Sequence, residues 1–216
     1  MSATSDATES KVRIDLGRLP FIRPLAAEYA SNFSAIASLY AGDPQSPEAW
    51  RDTITRVQQH TRRTRELAVI IEAQQERRRA PRQSREAGAF LEDPQTVAVV
   101  TGQQAGLFGG PLYTFLKAIT TIQVARRVER DYGVRAVPVF WVESEDHDWA
   151  EVRSITVLDH TQQPREITTA DVSGAGRLPV AQLVFDENVS TSIDELKAHL
   201  TPTDFTPWLE TTLRDC

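Results

Sequence analysis

Apolar residues recur at helical spacing through most of the N-terminal part of the chain. Leu25–Tyr40 has its large apolar side chains on one helical face, which predicts a short helix. Ser46 suits an N-cap and Pro47 suits the first helical position. They predict a second, very polar helix that runs to about Arg79. A further short helix is predicted near Gln83–Leu91.

The pattern then changes to short runs that are apolar throughout, as in strands buried on both faces of a parallel sheet. Thr96–Val100 is the first such run and Val134–Val142 is the second. Apolar positions from Leu112 onward again have helical spacing, so a helix is predicted between the two strands. Pro138 argues against the second strand, because proline cannot donate to a sheet ladder. The pattern nevertheless favours a βαβ unit and an α/β fold.

Shorter elements follow. Ser154–Leu158, Arg165–Thr169 and Gln182–Phe185 are predicted strands, and Ile193–His199 is a predicted helix. The final segment, from Trp208 onward, has the pattern of an amphipathic helix without a capping glycine or a polar tail. We therefore expect the chain to be truncated.

Composition and charge narrow the function classes. The 216 residues are 40% apolar, enough for a core, and carry a net charge of −6, which argues against a nucleic-acid partner. Six arginines between residues 62 and 79 are interpreted as the solvated face of a helix. Cys216 is the only cysteine, so no intramolecular disulfide forms, as is usual in a reducing cytosol. No apolar run is long enough for a signal sequence or a bilayer span, which predicts a cytoplasmic protein without a membrane partner.

A glycine-rich segment follows the first predicted strand. Gly102 and Gly106 are followed by two more glycines before Pro111, where the helix is expected to begin. A helix N-terminus with glycines allows close approach of a phosphate or carboxylate, and Gln103 and Gln104 add amide donors. The segment matches neither a Walker A loop nor the dinucleotide fingerprint. Anion binding and a purely packing role of the glycines therefore both stay open.

An acidic cluster around one histidine follows the second predicted strand. Its members are Glu143, Glu145, Asp146, His147 and Asp148. Carboxylates beside an imidazole suit a general base, and they also suit recognition of an ammonium group. A divalent metal site and a solvated acidic loop are the alternatives. Because the carboxyl ends of parallel strands meet at one sheet edge, the cluster is expected to lie beside the glycine-rich segment.

Two motifs in this region resemble the family of bacillithiol biosynthesis cysteine-adding enzymes, mainly over residues 95–160. The first is Thr-Gly-Gln-Gln-Ala-Gly-Leu-Phe from Thr101, then Gly-Pro-Leu-Tyr-Thr from Gly110 and Lys-Ala-Ile from Lys117. The second is Val-Pro-Val-Phe-Trp-Val from Val137, followed by Ser-Glu-Asp-His-Asp from Ser144.

The resemblance implies a ligase that joins the carboxyl group of cysteine to the amine of glucosaminyl-malate and so forms bacillithiol. It implies a Rossmann-like parallel-sheet core, similar to the nucleotidylyl-transferase and class I synthetase group. It also implies a coiled coil and a homodimer for the longer full-length protein. ATP as the activator is left open, and no metal is expected. In the synthetase group a histidine pair follows the first strand, whereas Gln103 and Gln104 stand there in this chain and cannot carry positive charge.

Four regions follow from pattern and resemblance together. Residues 1–10 are expected to be a disordered tail, and residues 11–94 an N-terminal helical region packed on the core. Residues 95–160 would form the first half of the Rossmann-like core. Residues 161–216 would begin an inserted connecting region that is incomplete here.

The site residues divide between the two motifs. The segment Gly102–Gly106, with Gln103 and Gln104, is expected to hold an anionic group, either a phosphate or the malate carboxylates. The amine is expected to bind the acidic cluster, where His147 or Asp148 takes its proton. Candidate catalytic residues are Glu145, Asp146, His147 and Asp148. Candidate substrate-binding residues are Gly102, Gln103, Gln104, Gly106, Tyr113, Lys117 and Trp141, of which Lys117 is interpreted as more structural than catalytic.

Other functions stay open. The chain could be a non-catalytic fragment or a module that binds a sugar or nucleotide without turning it over. It could also be a generic nucleotidyl transferase.

Overall fold

A computed structural model describes residues 15–215, and the predicted disordered tail lies outside them. The described chain forms two compact units, residues 15–61 and residues 62–215. The helices are α1 (Pro24–Ser31), α2 (Pro47–Gln59), α3 (Thr64–Arg77), α4 (Arg82–Ala89), α5 (Leu112–Tyr132), α6 (Trp149–Val152), α7 (Asn188–His199) and α8 (Thr206–Arg214). The strands are β1 (Val97–Gln104), β2 (Ala136–Glu143), β3 (Ser154–Leu158) and β4 (Pro164–Thr168).

The first unit holds α1 and α2. The helix predicted over residues 25–40 is wrong in length, since α1 ends at Ser31 and only two short 3-10 turns follow. Asn32 leaves the helical conformation, with φ −148° and ψ 56°. The bend gathers the rings of Tyr29, Phe33 and Tyr40, whose centroids lie 5.2–5.8 Å apart. The apolar residues therefore meet through a turn rather than along one helical face.

The predicted start of α2 is confirmed, because the Ser46 side chain accepts from the Ala49 amide at 3.2 Å. The prediction that this helix continues to about Arg79 is wrong. The chain leaves the helix after Gln59 and enters α3 at Thr64. In the break, the Arg62 guanidinium donates to the carbonyl of Thr96 at 3.1 Å. A long-range bond of this kind has no signature in residue periodicity.

The second unit is built on the predicted βαβ arrangement. Strands β1 and β2 pair in parallel over their whole lengths, from Val97 opposite Ala136 to Gln104 opposite Glu143. Helix α5 connects them and packs against both. The buried residues of these elements include Val97, Thr121, Ala125, Val128, Ala136 and Val137. Pro138 is tolerated within β2 because, among the described residues, both strands are sheet edges.

A β-hairpin follows. Strands β3 and β4 pair antiparallel, close to the predicted bounds, and Ile167 of β4 is fully buried. Helix α7 confirms the helix predicted over residues 193–199 and packs against β4 and α8. The strand predicted over residues 182–185 is wrong. A 3-10 turn at Val180–Gln182 precedes Leu183, which packs against the buried side chains of Trp149, Val152 and Val172.

Between residues 15 and 215, no helix has both the length and the apolar character that crossing a bilayer requires.

Candidate functional site

The glycine-rich segment begins inside the sheet. Strand β1 continues through Gly102, Gln103 and Gln104, so the prediction that these residues lie in a loop is wrong. A Cβ atom on Gly102 would lie 2.7 Å from the carbonyl oxygen of Trp141 on β2. Glycine is therefore needed here for the close approach of two strands, which supports the packing role. The remaining glycines, with Gly106 first, lie in the short connection to α5.

Lys117 of α5 fixes the end of β1. Its Nζ atom donates to the carbonyl oxygen of Gly102 at 3.2 Å and to Oε1 of Gln103 at 2.9 Å. The ammonium also lies 5.0 Å from the centroid of the Tyr113 ring, whose hydroxyl accepts from Nε2 of Gln103 at 3.3 Å. Four of the predicted binding residues are thus brought together. The Lys117 ammonium thus contacts Gly102, Gln103 and Tyr113 of the same chain.

Gln104 connects the two motifs. Its Nε2 atom donates to Asp146 Oδ2 at 2.9 Å and to Glu151 Oε2 at 3.1 Å, while its Oε1 accepts from Nε2 of Gln103 at 3.1 Å. The bond from Gln104 lowers the pKa of Asp146 below its ordinary value, and the amide of Asp148, 3.0 Å from Asp146 Oδ1, lowers it further. Asp146 is therefore an anion at neutral pH.

The other acidic side chains are distributed around this centre. Asp148 caps α6, because its Oδ1 accepts from the amide of Glu151 at 3.0 Å. Glu143 accepts from the indole nitrogen of Trp141 at 3.3 Å and from the amide of Glu145 at 3.1 Å. The Trp141 ring is 63% exposed and Glu145 is exposed as well. Among the described residues, the side chains of Trp141 and Glu145 form no hydrogen bond with Gln104 or Asp146.

His147 directly follows Asp146 and is close enough to contribute to the lowered pKa of that carboxyl group. It lines an open cleft with a volume of about 530 Å³, together with residues 148–150 and residues 171–177. The imidazole is exposed and has no hydrogen bond or ion pair with the described residues. It is therefore available to a ligand in the cleft, unlike the carboxylate of Asp148.

Sequence reasoning missed two parts of this site. Glu151 stands three residues after the N-cap Asp148, which is the spacing of a capping box and would have been a signal. Residues 171–177 approach through the tertiary fold and lack such a signal. Within residues 15–215, no group of three or more His, Cys, Asp or Glu side chains is arranged to hold a metal ion.

Comparison with known families assigns the chain. A sequence model of the family described as "Bacillithiol biosynthesis BshC, N-terminal Rossmann-like domain" matches residues 12–216. This chain belongs to the BshC family. The match confirms the Rossmann-like α/β fold expected from the two motifs, and β1, α5 and β2 form its parallel βαβ unit.

Several BshC relatives carry the name "Putative cysteine ligase BshC". The relative from Salinibacter ruber is 37% identical over 209 residues, which cover 95% of this chain and 37% of the relative. The relative from Oceanobacillus iheyensis is 30% identical over 184 residues, or 84% of this chain and 34% of the relative. The chain thus spans little more than a third of the length of these relatives.

Proposed function

We propose that this BshC-family chain carries part of the active site of a ligase that joins cysteine to glucosaminyl-malate and forms bacillithiol. The name of these relatives, "Putative cysteine ligase BshC", supports the reaction class. The observation that carries the proposal is the bond from Gln104 to Asp146. It joins the two motifs on which the resemblance rests, at the carboxyl ends of adjacent parallel strands, where ligands bind in open α/β sheets.

The reaction requires an unprotonated amine. The amine nitrogen attacks the carboxyl carbon of an activated cysteine, a C–N bond forms, and the C–O bond to the leaving group breaks. The proton that leaves the nitrogen needs an acceptor with a pKa close to neutral, which is the ordinary property of an imidazole. His147 is our choice for this base, since it lines the cleft and its imidazole has no hydrogen bond with the described residues, while Asp148 caps α6.

Asp146 has a different role in the proposal. Its carboxylate is held ionised by Gln104, so it attracts the substrate ammonium before deprotonation. Gln103 and Gln104 then act as positioning residues, since their amide groups already bond to Tyr113, Asp146 and Glu151. This assignment replaces direct anion binding by the segment Gly102–Gly106.

The resemblance leaves open whether ATP activates the carboxyl group of cysteine. A triphosphate requires several donors and positive charges. Beside the ends of β1 and β2, the described residues offer the ammonium of Lys117, which already bonds to Gly102 and Gln103. Glu143, Asp146 and Glu151 make the same neighbourhood negative. These residues do not fit a triphosphate, so we derive no step through ATP.

The cellular context belongs to the proposal as well. A ligase for a low-molecular-weight thiol acts on small molecules in the cytoplasm, without a nucleic-acid or membrane partner. The homodimer and coiled coil implied by the resemblance are proposed for the full-length protein only.

The test of the reaction is disruption of the gene in its host, with cell thiols measured by derivatisation and mass spectrometry. We expect bacillithiol to disappear and glucosaminyl-malate to accumulate, and the wild-type gene to reverse both changes. Unchanged bacillithiol in the disrupted strain would overturn the proposal.

Complementation with variants tests the roles. Genes carrying His147→Ala or Gln103→Ala are expected to fail, while His160→Ala, an exposed histidine after β3, should restore bacillithiol fully. Circular dichroism of each purified protein checks folding. Full restoration by both test variants would contradict the roles assigned to His147 and Gln103.

A further inference from the structure

The cleft that His147 faces is built from two segments of the second unit, residues 147–150 and residues 171–177. The first segment follows β2, and the second follows β4. Its volume of about 530 Å³ lies within the range of pockets that bind sugar-sized and drug-sized ligands. Cysteine alone would leave most of this space empty.

The second segment is fixed at its start. The indole nitrogen of Trp149, a side chain only 6% exposed, donates to Asp171 Oδ1 at 2.8 Å. Asp171 also pairs with the guanidinium of Arg153. Val172, next along the chain, is buried in the same cluster as Trp149. The carboxylate of Asp171 is therefore already neutralised by the protein.

The same segment is fixed at its turn and at its end. Gly174 has φ +89°, and a Cβ atom there would lie 2.6 Å from Cδ1 of Leu178, so only glycine fits without strain. The carbonyl oxygen of Gly174 accepts from the amide of Arg177 at 2.9 Å. Further on, the amide of Val180 donates to the carbonyl oxygen of Asp146 at 2.8 Å. This wall of the cleft is thus preorganised, which lowers the entropic cost of binding a ligand.

Arg177 lies on this wall with its charge unused. Its side chain is exposed, and its guanidinium forms no ion pair or hydrogen bond with any residue between 15 and 215. Nearly all other charged lining groups are committed, since Asp148 caps α6 and Asp171 pairs with Arg153. The hydroxyl of Ser173 lies on the same segment. The cleft therefore presents a free guanidinium and a free imidazole, His147.

We propose that this cleft binds the acceptor substrate, with Arg177 holding the carboxylates of its malyl group and His147 facing its amine. The inference rests on the proposed function for the identity of the substrate. A guanidinium binds carboxylates in a bidentate manner, through two parallel N–H donors. In glucosaminyl-malate the amine and the malyl group are on neighbouring sugar carbons, so one cleft can hold both.

The cleft is lined by both signs of charge, Asp148 and Asp171 as well as Arg177. A ligand that carries an amine and carboxylates matches this mixed lining.

The test is calorimetric titration of the purified protein at its natural length with glucosaminyl-malate, L-malate, methyl glucosaminide, cysteine and inorganic phosphate. Arg177→Gln removes the charge and should weaken glucosaminyl-malate binding at least about tenfold, the usual scale for one charged hydrogen-bonded contact. Methyl glucosaminide lacks carboxylates, so its affinity should be the same for both proteins. Arg177→Lys should give an intermediate loss, because lysine lacks the forked geometry.

Arg126→Gln is the matched control. Arg126 is exposed on α5, outside the cleft, and the variant should bind every probe as the wild type does. Equal affinity of glucosaminyl-malate for the wild type and Arg177→Gln would overturn the proposal. So would a loss of affinity confined to cysteine or phosphate, or failure of the folded wild type to bind glucosaminyl-malate.

The outcomes separate this inference from the proposed function. Binding of glucosaminyl-malate that depends on Arg177, with unchanged bacillithiol in the disrupted strain, would refute the ligase and leave the cleft assignment standing. Loss of bacillithiol with binding that is independent of Arg177 would refute only the cleft assignment. In a ligase assay, Arg177→Gln should raise KM for glucosaminyl-malate more than it lowers kcat.

Discussion

Gln104 and Asp146, more than forty positions apart in the chain, are joined by a 2.9 Å hydrogen bond from amide to carboxylate. The bond exists because β1 and β2 pair in parallel, which brings their carboxyl ends to the same edge of the sheet. A glutamine is suited to this position because it accepts from Gln103 while it donates to Asp146. The relationship makes one site out of two motifs.

Replacement of Gln104 by alanine removes the largest cause of the lowered pKa of Asp146. That pKa then rises towards its ordinary value, so the NMR titration of the Asp146 carboxyl group should move to higher pH. We also expect product formation to fall by about tenfold to a hundredfold, since the carboxylates lose their fixed positions. The NMR titration measures the first effect and initial rates of ligation measure the second.

Gln123→Ala is the control for this prediction. Gln123 is an exposed residue of α5, and its replacement should leave the rate and the titration of Asp146 unchanged. A carboxyl titration of Asp146 that is the same in the wild type and in Gln104→Ala would refute the role given to Gln104.

Gly102→Ala should destabilise the fold. The new Cβ atom would lie 2.7 Å from the Trp141 carbonyl, and backbone cannot rotate away as a side chain can. The two strands must separate locally, at a cost of about 1–3 kcal/mol, as for overpacking. Urea unfolding would measure the change in the free energy of unfolding.

Ala98→Ser is the control, at an exposed position of the same strand, and it should change the free energy of unfolding by less than about 0.5 kcal/mol. Equal stabilities of the two variants would contradict the packing role.

Asp159 should make stability depend on acid pH. Its side chain is 3% exposed and accepts from the hydroxyl of Thr161 at 2.6 Å, the amide of Gln163 at 3.0 Å and Nε of Arg165 at 2.8 Å. These bonds, led by that of Thr161, hold the pKa of Asp159 far below its ordinary value. The contribution of Asp159 to the free energy of unfolding is therefore complete above the pKa of an aspartate in the unfolded chain, about 4. It is lost as the pH falls towards the lower pKa of Asp159 in the folded protein.

Asp159→Asn tests this dependence by chemical denaturation between pH 3 and pH 7, a range chosen around the pKa of an unfolded aspartate. The variant should be less stable than the wild type near neutral pH, and the difference should shrink below about pH 4. Asp93→Asn serves as the comparison, since Asp93 is exposed and accepts from the amide of Gln95 in a similar turn. A constant difference between Asp159→Asn and the wild type across the range would refute the assignment.

The pattern of apolar residues predicted two kinds of element: strands that are apolar throughout and helices with apolar residues at a regular spacing. Strand β2, helix α5 and the β3–β4 hairpin lie close to their predicted bounds, because burial against a neighbour leaves a period in the sequence. Strand β1 begins near its predicted start but continues to Gln104 instead of ending at Val100. The break between α2 and α3 and the turn at Val180–Gln182 were not predictable in this way. Each depends on long-range hydrogen bonds, from Arg62 and from Val180, that leave no periodic trace.

The site was predictable as far as its residues lie at the carboxyl ends of the two predicted parallel strands. The positions of Gln104 and Asp146 at two neighbouring strand ends indicated that they would be close. The environment of His147 was not predictable, because its cleft is completed by residues 171–177, which reach it only through the tertiary fold. Nor did the sequence indicate Arg177, because its lack of an ionic partner among the described residues is a property of the three-dimensional fold.

Val180 and Ala181 donate their amides to the carbonyl oxygens of Asp146 and Ser144. The acidic segment is therefore held by residues that the ribosome makes later, after the whole β3–β4 hairpin. While the chain is being synthesised, β1, α5 and β2 can pair before that anchor exists. A nascent chain that stops before Val180 would therefore contain both motifs but lack the backbone bonds that position the second.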